Sequence, residues 1–163
     1  LAGIILADAA IHDNKYAVQT QTYGPEARGG ASSSEVVISG EKIDYPEIVE
    51  ADVVLCMSQQ ACDKYYASLK RNGLLIVDTT HVRRAPTSRA IRADLTKWAV
   101  EATEREITSS IVALGFLVGL TDVVSRQALE DAVLSRAPHG TGEANAQALD
   151  RGFAEAERFR EQL

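Results

Sequence analysis

A run of glycines and serines with one arginine separates two β-branched segments near the start of the sequence. Residues 19–34 read Gln-Thr-Gln-Thr-Tyr-Gly-Pro-Glu-Ala-Arg-Gly-Gly-Ala-Ser-Ser-Ser. The connection is longer than a tight hairpin needs, and loops of this length are often functional. Glycines let a backbone approach a ligand closely, and serine hydroxyls with a guanidinium suit an anionic or polar group. The pattern therefore predicts either an anion-binding loop or a solvated loop held by an internal salt bridge.

The rest of the sequence contains no self-contained catalytic motif. Gly-x-Ser-x-Gly, His-Glu-x-x-His, Gly-x-x-x-x-Gly-Lys and Gly-x-Gly-x-x-Gly are all missing. His12, His81 and His139 are far apart in sequence and have no metal-ligand spacing. We predict that these histidines are structural or solvated, and that the chain carries no catalytic residue and no metal ligand of its own.

Three further side chains are candidates for reactive groups. Cys56 falls in a predicted buried strand and Cys62 in the following helix, so neither is expected to be a nucleophile of low pKa. Two thiols also cannot supply the four thiolates of an iron-sulfur cluster. Asp78 follows an apolar strand, at the sheet edge where α/β proteins bind ligands. Its carboxylate either faces that edge or caps the next turn.

Composition limits the kind of protein. A chain of 163 residues, 45% of them apolar, can form one domain (1–163) with a substantial core. A net charge of −6, without a long basic cluster, argues against binding to nucleic acid or to an anionic membrane. The longest apolar run, residues 111–120, is about half the length that a bilayer requires. With so few cysteines, a reducing, cytoplasmic location is expected.

Fully apolar strands alternate with a helix in the middle of the sequence. Residues 52–57 and 74–77 are predicted as strands covered on both faces. A helix over 59–70 joins them, with Ser58 as its N-cap and Asn72-Gly73 as its end signal. This βαβ unit implies a parallel pair with a right-handed crossover. We predict a three-layer α/β fold with a mostly parallel sheet, Rossmann-like, in a single domain.

The remaining elements are predicted from periodicity and from cap residues. They are a helix over 1–12, strands over 15–22 and 34–39, a helical turn from Pro46, a short strand near Ile91, helices over 96–105 and 111–120, a helix after Ser125 and a last helix from Asn145. Ser109 or Ser110 is expected to cap the apolar helix 111–120. Gly115 and Gly119 lie one turn apart on that helix and predict close approach of another element.

The loop residues 19–39, followed by Ile43-Asp-Tyr-Pro46, resemble the gamma subunit of 2-oxoacid:ferredoxin oxidoreductases, and its 2-oxoglutarate branch most closely. The likeness continues through residues 73–78, 112–121 and 148–156, and so covers nearly the whole chain. There are two departures. The strand and Gly-Gly-Gln-Gly turn that usually precede the first helix are absent, which we expect to reflect truncation or disorder. Ser109-Ser110 stands where the family tends to have asparagine.

The resemblance implies an enzyme subunit that is not active alone. Such complexes oxidatively decarboxylate a 2-oxoacid, transfer the acyl group to coenzyme A and reduce ferredoxin. Thiamine diphosphate, Mg²⁺ and iron-sulfur clusters would reside on partner subunits, namely the alpha, beta and ferredoxin-like delta chains. This chain would shape the active-site interface where coenzyme A, the co-substrate, approaches.

The resemblance also assigns roles within the loop. The residues expected at the subunit interface, near the coenzyme A channel, are Gly24, Pro25, Arg28, Gly29 and Gly30. Arg28 would neutralise a phosphate or carboxylate, or pair with an acidic group of a partner. Alternatively, Arg28 pairs with Glu26 or Glu35 and only holds the loop. Two other functions stay open: a non-enzymatic Rossmann-like anion-binding or scaffold module, and indolepyruvate or pyruvate specificity within the enzyme class.

Overall fold

The computed structural model describes residues 1–22 and 31–162. These residues form two compact units. The first, unit 1, contains residues 1–19, 36–46 and the C-terminal part from Leu95, and the second, unit 2, contains residues 20–35 and 47–94. Strands β1 (Tyr16–Thr22) and β2 (Ser33–Ser39) are hydrogen-bonded neighbours in a two-stranded sheet, as the β-branched segments predicted.

Unit 2 is built on a parallel sheet. Its strands are β3 (Ala51–Cys56), β4 (Leu69–Asp78) and β5 (Ile91–Ala93), arranged in the order β3-β4-β5. Both strand pairs are parallel, with Cys56 opposite Val77 and Asp78 opposite Ala93. Helix α2 (Gln59–Tyr65) and a short 3₁₀ turn (Tyr66–Ser68) connect β3 to β4. The predicted βαβ unit, the short strand near Ile91 and the α/β class with a parallel sheet are confirmed.

The crossover helix is shorter than the sequence suggested. It was expected to continue to residue 70 and to end at Asn72-Gly73, but β4 already begins at Leu69. The register shifts there, since β3 advances from Ala51 to Val53 while β4 advances from Leu69 to Leu74. A Cβ on Gly73 would lie 2.5 Å from the Leu69 side chain. Asn72-Gly73 thus forms part of an irregularity within a strand, and its assignment as a helix end was wrong.

The core of unit 2 is formed by apolar residues of the βαβ unit and of the turn that follows it. Buried residues of β3, α2, β4 and the following turn pack together: Cys56, Cys62, Leu75, Val77 and Val82. Helix α2 is fixed at its start by Ser58, whose Oγ accepts the N–H of Ala61 at 3.1 Å. The predicted N-cap is therefore confirmed.

Unit 1 is helical. Its helices are α1 (Ala2–His12), α3 (Leu95–Thr103), α4 (Ser109–Thr121), α5 (Arg126–Arg136) and α6 (Gly142–Glu161). Helix α4 is the central one, because seven of its 13 residues are buried and none is exposed. Phe116 of α4 has ring contacts with Trp98 of α3 and Phe159 of α6, at centroid distances of 5.5 and 6.2 Å.

Helices α4 and α6 approach closely where both carry glycine. A Cβ on Gly115 would lie 2.6 Å from the carbonyl oxygen of Leu149, and a Cβ on Gly152 would lie 2.3 Å from that of Val112. A Cβ on Gly119 would lie 2.5 Å from the Cβ of Ala156. The predicted close approach at Gly115 and Gly119 is confirmed, and the approaching element is α6.

Helices α1 and α5 are joined by polar contacts at their ends. The Ser125 hydroxyl donates to the Asp13 carboxylate at 2.6 Å and also accepts the N–H of Ala128, which confirms Ser125 as the α5 cap. The hydrogen bond from Ser125 lowers the pKa of Asp13. Arg136 forms an ion pair with Asp8. Leu129, Ala132 and Val133 lie on the buried face of α5.

Three local expectations were wrong. Residues 46–49 form no helical turn, since proline is compatible with a first helical turn but does not create one. Ser109 and Ser110 lie inside α4, and the residue before that helix is Thr108, whose side chain makes no cap hydrogen bond to it. Helix α6 begins at Gly142, before Asn145. The full extent 1–163 as one domain stays a prediction.

Candidate functional site at the carboxyl edge of the parallel sheet

The loop residues singled out from the sequence are Gly24, Pro25, Arg28, Gly29 and Gly30. All of them lie outside the described residues, as does Glu26. The structure does describe both flanks, because β1 ends at Thr22 and β2 starts at Ser33. The predicted role of the loop therefore rests on its sequence and on how these flanks are held.

The flank that leads into β2 is anchored to the crossover helix of unit 2. Ala31 is buried, and its carbonyl oxygen accepts a hydrogen bond from the Tyr65 hydroxyl at 3.4 Å. This polar contact fixes the position of the Tyr65 hydroxyl. The Ser33 hydroxyl is buried without a hydrogen-bond partner among the residues described. Burial of an unpaired hydroxyl costs about 1–3 kcal/mol.

Asp78 lies at the carboxyl end of β4 and is fully buried. Its Oδ1 accepts the N–H of Thr80 at 3.5 Å, and its carbonyl oxygen accepts the N–H of Val82 at 2.8 Å. Thr79 donates to the Asp94 carboxylate just after β5. Asp78 thus occupies the predicted sheet edge, and its described contacts are those of a residue that holds the following turn.

A single glutamine is hydrogen-bonded to the backbone of the loop that follows β4. Gln59, the first residue of α2, accepts the N–H groups of Arg83 and Arg84 through Oε1 at 2.9 and 3.0 Å. Its Nε2 donates to the carbonyl oxygen of Arg84 at 2.8 Å and to Asp63 at 2.9 Å. The loop backbone at Arg83-Arg84 is therefore fixed to the helix.

The same loop borders a shallow, open pocket of about 400 Å³. The lining residues are Ala85, Pro86, Thr87, Ser88, Ala90 and Arg92. Residues 81–92 contain four arginines, but no motif in the sequence marks a site there. The sequence feature that could have indicated this site is the high density of arginine in a chain of net negative charge.

Cys56 and Cys62 are both free and buried. Burial raises the pKa of the Cys56 thiol from 9.0 to about 12, and burial also raises the pKa of Cys62. A thiol of raised pKa is a poor nucleophile at neutral pH, because the thiolate is the reactive form. The prediction that neither cysteine is an activated nucleophile is supported.

The Cys56 pKa predicts a loss of stability in alkaline solution. The folded protein retains the thiol proton between pH 9.0 and about 12, whereas the unfolded chain releases it. The unfolded state binds fewer protons in this range, so the free energy of unfolding should fall as pH rises, by up to about 1.4 kcal/mol per pH unit. Urea unfolding of wild type and Cys56→Ala at several pH values above 9 measures this, and Cys56→Ala should show a smaller slope. Equal slopes of unfolding free energy against pH for wild type and Cys56→Ala would contradict the raised pKa of Cys56.

His12, His81 and His139 are exposed and belong to α1, to the turn after β4 and to the segment before α6. Among residues 1–22 and 31–162, no group of three or more His, Cys, Asp or Glu side chains could hold a metal ion. None of the described helices combines the length and apolar character needed to cross a bilayer.

Known proteins are similar in sequence to nearly the whole chain. The chain is 45% identical to 2-oxoglutarate synthase subunit KorC of Methanocaldococcus jannaschii, over 94% of this chain and 84% of that protein. It is 46% identical to a keto/oxoacid ferredoxin oxidoreductase gamma subunit from Geobacter sulfurreducens whose crystal structure is known. That match has a TM-score of 0.84 and covers 96% of this chain and 90% of the other.

A more distant structure shares the fold alone. It is a 2-oxoglutarate:ferredoxin oxidoreductase from Magnetococcus marinus with 2-oxoglutarate, coenzyme A and succinyl-CoA bound, 20% identical with a TM-score of 0.82. The match covers 96% of this chain but only 28% of that chain. The same fold therefore also occurs as one part of a longer polypeptide.

The α/β fold and these matches define the chain as a subunit of an oxidoreductase. It belongs to the pyruvate ferredoxin/flavodoxin oxidoreductase family, whose sequence pattern matches residues 1–155. The resemblance to the gamma subunit of 2-oxoacid:ferredoxin oxidoreductases, inferred from residues 19–39 and the later segments, is confirmed.

Proposed function

We propose that the chain is the gamma subunit of a cytoplasmic complex that oxidises 2-oxoglutarate. The complex would release carbon dioxide, form a thioester between the remaining acyl group and the thiol of coenzyme A, and pass the electron pair to ferredoxin. The observation that carries this proposal is the likeness, along nearly the full length, to relatives named as subunits of 2-oxoglutarate synthase. Other relatives are named for ketoisovalerate, so substrate choice has to be measured.

The redox cofactors would reside on the alpha, beta and ferredoxin-like delta subunits. This chain has two cysteines, both buried in the core of unit 2, and an iron-sulfur cluster needs four thiolates. Thiamine diphosphate with Mg²⁺ would supply the electron sink for decarboxylation when bound by a partner. The contribution of this chain would be to shape the neighbouring surface and to position the co-substrate.

The loop between β1 and β2 is the part proposed to meet the active site. Gly24, Gly29 and Gly30 would let the backbone approach the co-substrate channel, with Pro25 limiting the number of loop conformations. Arg28 would provide the positive charge for a phosphate of coenzyme A or for an acidic group of a partner. The Tyr65–Ala31 hydrogen bond supports this proposal, because it fixes the point where the chain leaves the loop.

Reconstitution tests the proposal. The chain should be produced alone and together with the thiamine- and cluster-bearing subunits, and each preparation assayed with 2-oxoglutarate, pyruvate and indolepyruvate in the presence of coenzyme A and ferredoxin. The chain alone should be inactive. The full complex should turn over, with kcat/KM for 2-oxoglutarate at least about tenfold above the other substrates, which corresponds to about 1.4 kcal/mol of transition-state discrimination. Turnover by the lone chain, or full activity without it, would refute the subunit role.

A further inference from the structure

Five arginines of unit 2 form what we call the arginine cluster: Arg71, Arg83, Arg84, Arg89 and Arg92. All five are exposed. The guanidinium of Arg89 donates to the carbonyl oxygen of Arg71 at 2.8 Å, and that of Arg92 donates to the carbonyl oxygen of Val82, next to Arg83, at 3.2 Å. These hydrogen bonds bring the end of the β4–β5 loop close to the irregular part of β4 and to the start of the loop.

The cluster differs from the other arginines of the chain in its ion pairing. Among the residues described, none of the five forms an ion pair, although the chain has more acidic than basic residues. Arginines of unit 1 behave differently, because most of them pair with a carboxylate: Arg126, Arg136, Arg151, Arg158 and Arg160. Clustered like charges repel one another, so a compensating anion would stabilise this surface.

Several backbone N–H groups of the loop are already hydrogen-bonded within the chain. Phosphate sites commonly use free main-chain N–H groups of a loop or of a helix N-terminus. Here the N–H groups of Arg83 and Arg84 are bound to Gln59, and those of Arg89 and Ala90 are bound to Thr87. Four of the loop N–H groups are therefore already occupied, and the exposed guanidinium groups are the charged donors left for a ligand.

Guanidinium groups bind carboxylates with two parallel hydrogen bonds, and arginine is enriched at protein interfaces. The pocket beside the cluster combines this charge with small apolar and hydroxyl groups, since Ala85, Pro86 and Ala90 line it together with Thr87, Ser88 and Arg92. Such a surface fits a peptide segment that presents acidic side chains next to small apolar ones.

We propose that the arginine cluster is the docking site for a carboxylate-rich segment of another protein chain in the complex. This inference rests on the proposed function, because it requires partner subunits. The cluster is separate in sequence from Arg28, and it acts in assembly rather than in binding the co-substrate.

Charge reversal tests this proposal. In the variant Arg83→Glu/Arg84→Glu the bonds to Gln59 should survive, because they involve main-chain atoms. The matched control is Arg105→Glu, an exposed arginine of unit 1 that forms no ion pair within the part of the chain described. Binding of a labelled oligoglutamate peptide to the full chain is measured by fluorescence anisotropy at low and physiological salt, with inorganic pyrophosphate as competitor.

We expect the double variant to bind oligoglutamate at least about tenfold more weakly than wild type, and the control to stay within about twofold. Pyrophosphate should compete poorly. Binding of the double variant equal to that of wild type would overturn the inference. Displacement of the peptide by pyrophosphate at lower concentrations than by free oligoglutamate would identify a phosphate site and would also overturn it.

Co-production with the partner subunits separates the two proposals. If the wild-type chain assembles and the double variant dissociates at lower salt, both proposals stand. If the double variant assembles with the same salt dependence as wild type, only the docking site is lost. If the wild-type chain does not assemble at all, the proposed function fails, and this inference fails with it.

Discussion

Gly152→Ala should lower the free energy of unfolding by about 3 kcal/mol. The added Cβ would lie 2.3 Å from the carbonyl oxygen of Val112, 2.8 Å from the amide nitrogen of Phe116 and 3.0 Å from the Cα of Gly115. All three atoms belong to the backbone of α4, so no side-chain rotation can relieve the overlap. Helices α4 and α6 would have to separate, which loosens the packing of buried α4 residues such as Phe116.

The better helix propensity of alanine opposes this loss only in part. Alanine is favoured over glycine inside a helix by about 1 kcal/mol, whereas forced repacking of a tight helix contact costs about 1–3 kcal/mol or more. The steric effect should prevail because the overlap is with main chain. In a protein of this size, about 3 kcal/mol corresponds to a fall in Tm of about 6–12 °C, measurable by calorimetry or circular dichroism.

Gly142→Ala in the same helix is the matched control. Gly142 is the first residue of α6, and a Cβ there would have nothing within 4 Å. Its free energy of unfolding should stay within about 0.5 kcal/mol of wild type or rise slightly. Equal stabilities for Gly152→Ala and Gly142→Ala would mean that α4 and α6 do not approach as closely as the structure shows.

The sequence predicted this helix contact because two independent signals agreed. The segment 111–120 is apolar on every side, which requires a helix surrounded by other elements, and Gly115 and Gly119 lie one turn apart within it. What the sequence could not supply was the partner, since many helices could approach a glycine face. The contact with Gly152 depends on tertiary arrangement, which a one-dimensional pattern does not contain.

The errors arose where one local signal has two structural meanings. Asn72-Gly73 is equally compatible with a helix end and with a bulge inside a strand, and pairing of β4 with β3 decided between them. Ser109 and Ser110 are favoured as caps, yet the 3₁₀ turn Glu106–Thr108 leads directly into α4 and places both serines inside the helix. In both cases neighbouring structure overrode the local preference.

The arginine cluster shows a different limit of sequence reasoning. Most of its residues are visible as an arginine-rich loop, but their positions depend on contacts with other elements, such as the hydrogen bonds that Arg83 and Arg84 donate to Gln59 in the preceding helix. Contacts over such sequence separations are set by the parallel crossover. The loop of residues 24–30, in contrast, was recognised from its own composition and from a family resemblance.

Arg28→Ala should separate a functional arginine from a merely structural one. In the reconstituted complex we expect the apparent KM for coenzyme A to rise about tenfold with little change in kcat, if Arg28 binds the co-substrate equally in the ground and transition states. If Arg28 pairs with a partner's acidic group, assembly should weaken instead. We expect the free energy of unfolding of the isolated chain to change by less than about 1 kcal/mol if the role of Arg28 is to bind a ligand or a partner.

Two further variants sharpen this experiment. Arg28→Lys keeps the charge but loses the planar fork, so it should restore binding only in part if bidentate contacts matter. Arg105→Ala removes an exposed arginine from unit 1 and should leave kinetics and assembly unchanged. Unchanged kinetics and assembly in Arg28→Ala, or gross unfolding of that variant, would favour the pairing of Arg28 with Glu26 or Glu35. The contribution of the loop to the reaction centre would then have to come from its glycine backbone, because no other cation lies between Gly24 and Gly30.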